Sequence, residues 1–104
     1  MVRKQEILRK LGQVMDPELG MSIVDLGLIY DINVKKKKPG KLQEVFIKMT
    51  FTTPACPMIN EMLDDVKLKL DEFKDADIEI TVVFEPLWSP DRMSERAKIK
   101  LGMV

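Results

Sequence analysis

The chain has 104 residues, 45% of them hydrophobic and 33% charged, which suits one domain over residues 1–104 with a single modest core. Lys plus Arg and Asp plus Glu number 17 each, so the net charge is zero and there is no overall basic field to gather a nucleic-acid backbone. One cysteine and no histidine exclude an internal disulfide, a Cys-His or Ser-His-Asp triad, and a closed zinc or tetrathiolate site within one chain.

In chain order, Ile7, Leu8, Leu11 and Val14 recur at helical spacing among charged residues and predict an amphipathic opening helix. Asp16-Pro17-Glu18-Leu19-Gly20 follows as a loop, because the residue before proline is pushed out of the α region. Leu28, Tyr30, Ile32 and Val34 alternate with Ile29, Asp31, Asn33 and Lys35, the period of a strand with one buried face. Lys35 to Lys38 and Pro39-Gly40-Lys41 read as a solvated hairpin tip, with a docking patch for an acidic partner as the functional alternative. A second strand carries Val45, Ile47, Met49 and Phe51 on one face, so the two strands should form an antiparallel hairpin.

Beyond the Cys56 loop, Ile59, Met62, Leu63, Val66, Leu70 and Phe73 mark one stripe of a second helix, closed by Asp75-Ala76-Asp77. Ile78, Ile80, Val82 and Phe84 predict a third strand ending at Glu85-Pro86, and Ser89-Pro90 opens a last helix running to about Leu101. The order αββαβα predicts an α+β fold: a three-stranded mixed sheet with helices packed on one face, in which the second helix serves as crossover if the third strand pairs parallel. No apolar run is long enough for a membrane span and the start lacks a secretory signal pattern, so a reducing cytoplasm is the expected setting.

Cys56 lies in Thr52-Thr53-Pro54-Ala55-Cys56-Pro57, between a strand and a helix. Proline suits the first helical position, which would make Cys56 the helix cap; the positive end of the helix dipole there favours thiolate. Against this stands the common role of cysteine as a small buried hydrophobe. Asp16, Glu18 and Asp25 form an acidic group whose loop should reach the sheet end of the cysteine loop, as hard ligands or a proton acceptor, or else simply as turn and cap residues. Thr52 and Thr53 could orient a ligand or, more prosaically, finish a strand. Trp88 reads as an edge-packing residue, with an interface anchor as the alternative. Any cluster held by this chain would need thiols from a second copy, a partner or a small molecule.

Asp16-Pro17-Glu18, Ile23 through Tyr30 with Asp25-Leu26-Gly27, Thr53-Pro54-Ala55-Cys56-Pro57 and Trp88-Ser89-Pro90, in this order, resemble the MIP-eighteen-like (SufT/PaaD-like) family of iron-sulfur assembly factors. The resemblance runs from the first helix to Leu101-Gly102 and implies a small domain similar to iron-sulfur cluster assembly domains. It implies a role in maturing or delivering iron-sulfur clusters to apo-proteins; with a single thiol in the chain, the expected mode is non-enzymatic, with an iron-sulfur cluster bound transiently and no permanent cofactor. The family's functional cysteine falls on Cys56, its acidic motif on Asp16 and Glu18, and its Asp-x-Gly element on Asp25 and Gly27. Expected partners are iron-sulfur carriers or scaffolds, apo-protein clients, a separate P-loop ATPase carrier and a second copy of the chain. The rival readings are a protein-protein adaptor with a structural cysteine and an accessory protein of a multicomponent oxygenase, a branch whose cysteine-rich tail is not found here.

Overall fold

The computed structural model describes residues 2–17, 19–52 and 58–102. The opening helix α1, Lys4–Leu11, buries Ile7 and Leu11. After it come two short strands, β1 (Met15–Asp16) and β2 (Met21–Ser22), then β3 (Ile29–Val34) and β4 (Gln43–Met49). Helix α2 (Ile59–Leu70), strand β5 (Ala76–Val82), a single 3₁₀ turn (Pro90–Arg92) and helix α3 (Glu95–Lys100) complete the order. Among the described residues no helix is long and apolar enough to cross a membrane.

The main sheet has the order β3-β4-β5, antiparallel between β3 and β4 and parallel between β4 and β5, so it is mixed as the α+β reading expected. A parallel pair needs a crossover, and α2 supplies it. On β4 the alternation is clear: Gln43, Val45, Ile47 and Met49 are buried, whereas Glu44 and Lys48 are exposed. Ile7 and Leu11 of α1 and Met62, Val66 and Leu70 of α2 join Val45, Ile47 and Met49 in one core. Lys10 Nζ of α1 also meets the carboxylate of Glu72, just past the end of α2.

Four local features differ from the sequence reading. The 15–22 stretch is a small hairpin, Met15 pairing with Ser22 and Asp16 with Met21, because Gly20 reaches φ +67° and donates its N–H to Asp16 O at 2.7 Å. In β3 the register slips between Ile29 and Asp31, a bulge that takes Tyr30 out of the inward row with Ile32 and Val34. Tyr30 instead donates its hydroxyl to Pro86 O at 2.8 Å and carries the Arg92 guanidinium over its ring, 4.4 Å from the centroid. Helix α2 begins at Ile59 with Met58 in the cap position, so the cap expected at Cys56 is not there, and it ends at Leu70, leaving Ala76 free to open β5. Finally, Pro90 starts one 3₁₀ turn only; Met93 returns to extended backbone and Ser94 begins α3 afresh, accepting the Ala97 N–H.

Gln43 closes the far end of the sheet. It is fully buried, its Oε1 accepts the Val2 N–H at 2.8 Å, and its Nε2 donates to Val2 O at 3.1 Å and Lys35 O at 3.0 Å. One amide thus ties the amino-terminal segment to the hairpin. Gln43→Ala should lower unfolding free energy by about 2 kcal/mol in a urea titration, since it strands buried backbone groups in addition to losing the bonds.

Candidate functional site

The β3–β4 pairing sets Ile29 opposite Met49, and Thr50 N donates to Leu28 O at 2.8 Å, so the entrance of β3 and the exit of β4 share one end of the sheet. The 15–22 hairpin is held to that end. Ile23 N donates to Val14 O and Leu28 N to Ile23 O, both at 3.0 Å, which folds the 23–28 segment back on itself. Just beyond β4 stand Thr50 and Phe51, both buried, and then Thr52, which leads into 53–57. Cys56, Thr53 and Glu18 lie outside the described residues.

A pocket of about 290 Å³ opens here, lined by Asp16 and Leu19 from the small hairpin, Thr52 from the β4 exit, Trp88 and Pro90, with Met93 and Leu101 completing the wall. Three stretches far apart in sequence therefore meet around one concavity: the Asp16-Pro17 turn, the approach to the cysteine loop, and Trp88-Ser89-Pro90. Asp16 is 4% exposed, and its Oδ1 accepts the Leu19 N–H at 3.2 Å, so this carboxylate shapes its own turn as well as facing the pocket. The wall is mostly apolar. It can shield a reacting group from water while offering one carboxylate and one hydroxyl.

Asp25 is placed differently. Its Oδ2 takes the Arg96 guanidinium at 2.5 Å, its Oδ1 accepts from Ser94 Oγ at 3.3 Å, and its backbone O accepts Ser94 N–H at 2.8 Å. It lines a second concavity, with Ser22, Arg96 and Lys100, rather than the one that holds Asp16 and Thr52. The neighbouring residues do the same anchoring work. Leu26 O accepts the Trp88 indole N–H at 2.6 Å, and a Cβ on Gly27, at φ +75°, would stand 2.2 Å from Arg92 O. Asp25-Leu26-Gly27 is thus a seat on which the 88–97 segment rests, and through Trp88 it forms one wall of the Asp16 pocket. Among the described residues, no group of three or more Cys, Asp or Glu side chains could hold a metal ion.

Sequence reasoning missed Ser94, Arg96 and Met93. Ser94 was accessible as a helix-cap signal, a serine followed at once by the acidic Glu95 and good helix formers, but the proline at 90 masked it. Met93 and Arg96 carry no sequence signal.

The profile of the iron-sulfur cluster assembly protein family matches residues 4–82. The chain belongs to that family. It is 40% identical to the Fe-S protein maturation auxiliary factor YitW of Bacillus subtilis, covering 96% of this chain and 94% of that one. It is 42% identical to the Fe-S protein maturation auxiliary factor SufT of Staphylococcus aureus, covering 86% of this chain and 98% of the other. Among solved structures it is similar to a domain of unknown function from Bacillus anthracis, with a TM-score of 0.80, 39% identity and coverage of 97% and 92% of the two chains.

The Gly27 contact yields a sharp expectation. In Gly27→Ala the positive φ and the collision with Arg92 backbone should together destabilise the fold by roughly 2–4 kcal/mol and shift Trp88 emission to the red as the 88–97 segment lifts. Arg96→Ala removes only a largely exposed partner and should cost less than about 1 kcal/mol in the same thermal and fluorescence measurements.

Proposed function

We propose that this chain is an auxiliary factor in the maturation of iron-sulfur proteins, and that Cys56 is its working group, a transient ligand or exchange thiol for a cluster or iron in transit. The observation that carries the reading is the convergence of Asp16, Thr52 and Trp88 on one pocket at the exit of β4, where the chain runs into the segment bearing Cys56. Membership of the assembly family and the maturation-factor names of YitW and SufT support it from outside the geometry.

The division of labour follows from donor chemistry. A single thiolate is a soft ligand for iron, and one per chain leaves the remaining positions to thiols on a partner, which is the arrangement a hand-over requires. Asp16, in its mostly apolar pocket, is suited to provide a hard oxygen or a hydrogen-bond acceptor as the thiol exchanges, and Glu18 and Thr53 stand close to Asp16 and Thr52 in the sequence. Asp25 acts at a distance in this scheme, holding the 88–97 segment and with it the Trp88 wall. Cargo is passed on rather than kept, and the protein works in the cytoplasm with iron-sulfur carriers and apo-protein clients.

Anaerobic iron-sulfur reconstitution followed by transfer to an apo-protein client, read by optical absorption, iron content and native mass, tests this. The wild-type chain should accelerate client maturation, and Cys56→Ala should lose about tenfold or more of that effect while keeping its melting temperature. Undiminished maturation with Cys56→Ala would rule out the thiol's role.

A further inference from the structure

Strand β5 ends the sheet, and among the described residues no further strand pairs with its outer side. Which of its backbone groups face outward can be read from its flanks, because a strand residue sends its own N–H and C=O to the same side and successive residues alternate. Asp75 O accepts Gln43 N–H and Val83 N–H is donated to Met49 O, so the odd-numbered residues address β4. Ala76 N–H goes the other way, to Phe73 O. By that alternation the N–H and C=O groups of Ile78, Ile80 and Val82 point to the open side.

The side chains beside this edge are of two kinds. On the core side Ile78, Ile80 and Val82 are only half-buried, and a cavity of about 180 Å³ lies beside Ile78 and Ile80, lined also by Leu70, Phe73, Ala76, Lys67 and Asp71. On the outer side Asp77 and Glu79 are exposed, and Glu44 stands opposite Asp77 across the ladder. These carboxylates line a second hollow, about 320 Å³, together with Phe46. Their arrangement is not one that could hold a metal ion. It does fit a lysine or arginine side chain, with the aliphatic stem on the Phe46 ring and the cation among the carboxylates.

We propose that the open edge of β5 is a docking site for an extended segment of a partner protein in which apolar and basic side chains alternate. The incoming strand would bond to the Ile78, Ile80 and Val82 backbone, drop its apolar side chains over the Phe73 cavity and set its basic ones beside Asp77, Glu79 and Glu44. Backbone pairing supplies affinity, and the two unlike hollows supply the choice of sequence. Charge argues against a second copy as occupant, since self-pairing adds acidic side chains to an already acidic margin. This surface uses no residue of the Cys56 loop and stands whatever that thiol does.

The experiment is amide hydrogen exchange by NMR on the full chain, with and without a short capped peptide alternating lysine and valine. In the free protein the amides of Ile78, Ile80 and Val82 should exchange fast while those of Asp77, Glu79 and Thr81 are protected, and the peptide should slow the former set. A peptide alternating glutamate and valine should bind about tenfold more weakly, and the double variant Asp77→Lys, Glu79→Lys, whose exposed positions leave melting unchanged, should reverse that order. Protection of Ile78, Ile80 and Val82 already present in the free chain, a dimer by native mass that depends on β5, or equal binding of both peptides would each overturn the proposal.

Discussion

The parallel pairing of β4 with β5 is the constraint on which the rest of the molecule depends. Two parallel strands cannot be joined by a turn, so the chain leaving β4 must climb over the sheet, run back as α2 and re-enter at the start of β5. That return puts the connection out of β4 at one pole of the sheet. Because β3 is antiparallel to β4, its entrance and the 15–28 stretch before it come to the same pole. The lysine-rich hairpin tip is sent to the opposite pole, beside buried Gln43, where all its lysines are exposed and far along the chain's ladder from the Asp16 pocket. The Asp16 pocket and the solvated lysine tip are thereby separated by topology.

The same pole would remain open without the seat formed by Asp25, Leu26 and Gly27. Each residue contributes a different kind of hold on the 88–97 segment: a carboxylate for Ser94 and Arg96, a carbonyl for the Trp88 indole, and the missing Cβ that lets Arg92 backbone approach. The exposed Asp25–Arg96 pair contributes little energy by itself. The glycine contact is different, because no side chain can be accommodated there and relaxing it means moving backbone. Asp25, which from sequence looked like a third part of the acidic group, therefore serves to hold the 88–97 segment whose Trp88 lines the pocket.

What was legible in the sequence follows the strength of local signals. Period-two alternation in 45–51 and 78–84 and the helical stripe in 59–73 are burial patterns, and they survive into the fold with their ends shifted by no more than three residues. The bulge at Tyr30 was not legible, since it answers to Pro86 and Arg92, residues more than fifty positions away. The true start of α3 was obscured because Pro90 and Ser94 both announce a helix and only the tertiary hold on Ser94 N–H by Asp25 O decides between them. For the site, the meeting of the Asp16 loop with the β4 exit could be argued from hairpin topology alone, whereas the separate allegiance of Asp25 required knowing where Arg96 falls.

The scarcity of donors also explains why the pocket takes the form it does. With one thiol and no histidine the chain cannot complete a tetrathiolate site by itself, so the proposed role asks it to present that thiol briefly and to control what surrounds it. Under the proposed role, the mostly apolar walls from Leu19, Trp88 and Met93 would limit the access of competing water, and the buried Asp16 would offer an oxygen rather than a second soft ligand that would trap the cargo. Weak holding at this pole then has to be matched by recognition elsewhere. The open β5 edge lies along the flank of the sheet, and under the proposed docking its backbone groups and paired hollows would grip a partner without occupying the pole of the Asp16 pocket, so affinity for the partner and release of the cargo would be set by different residues.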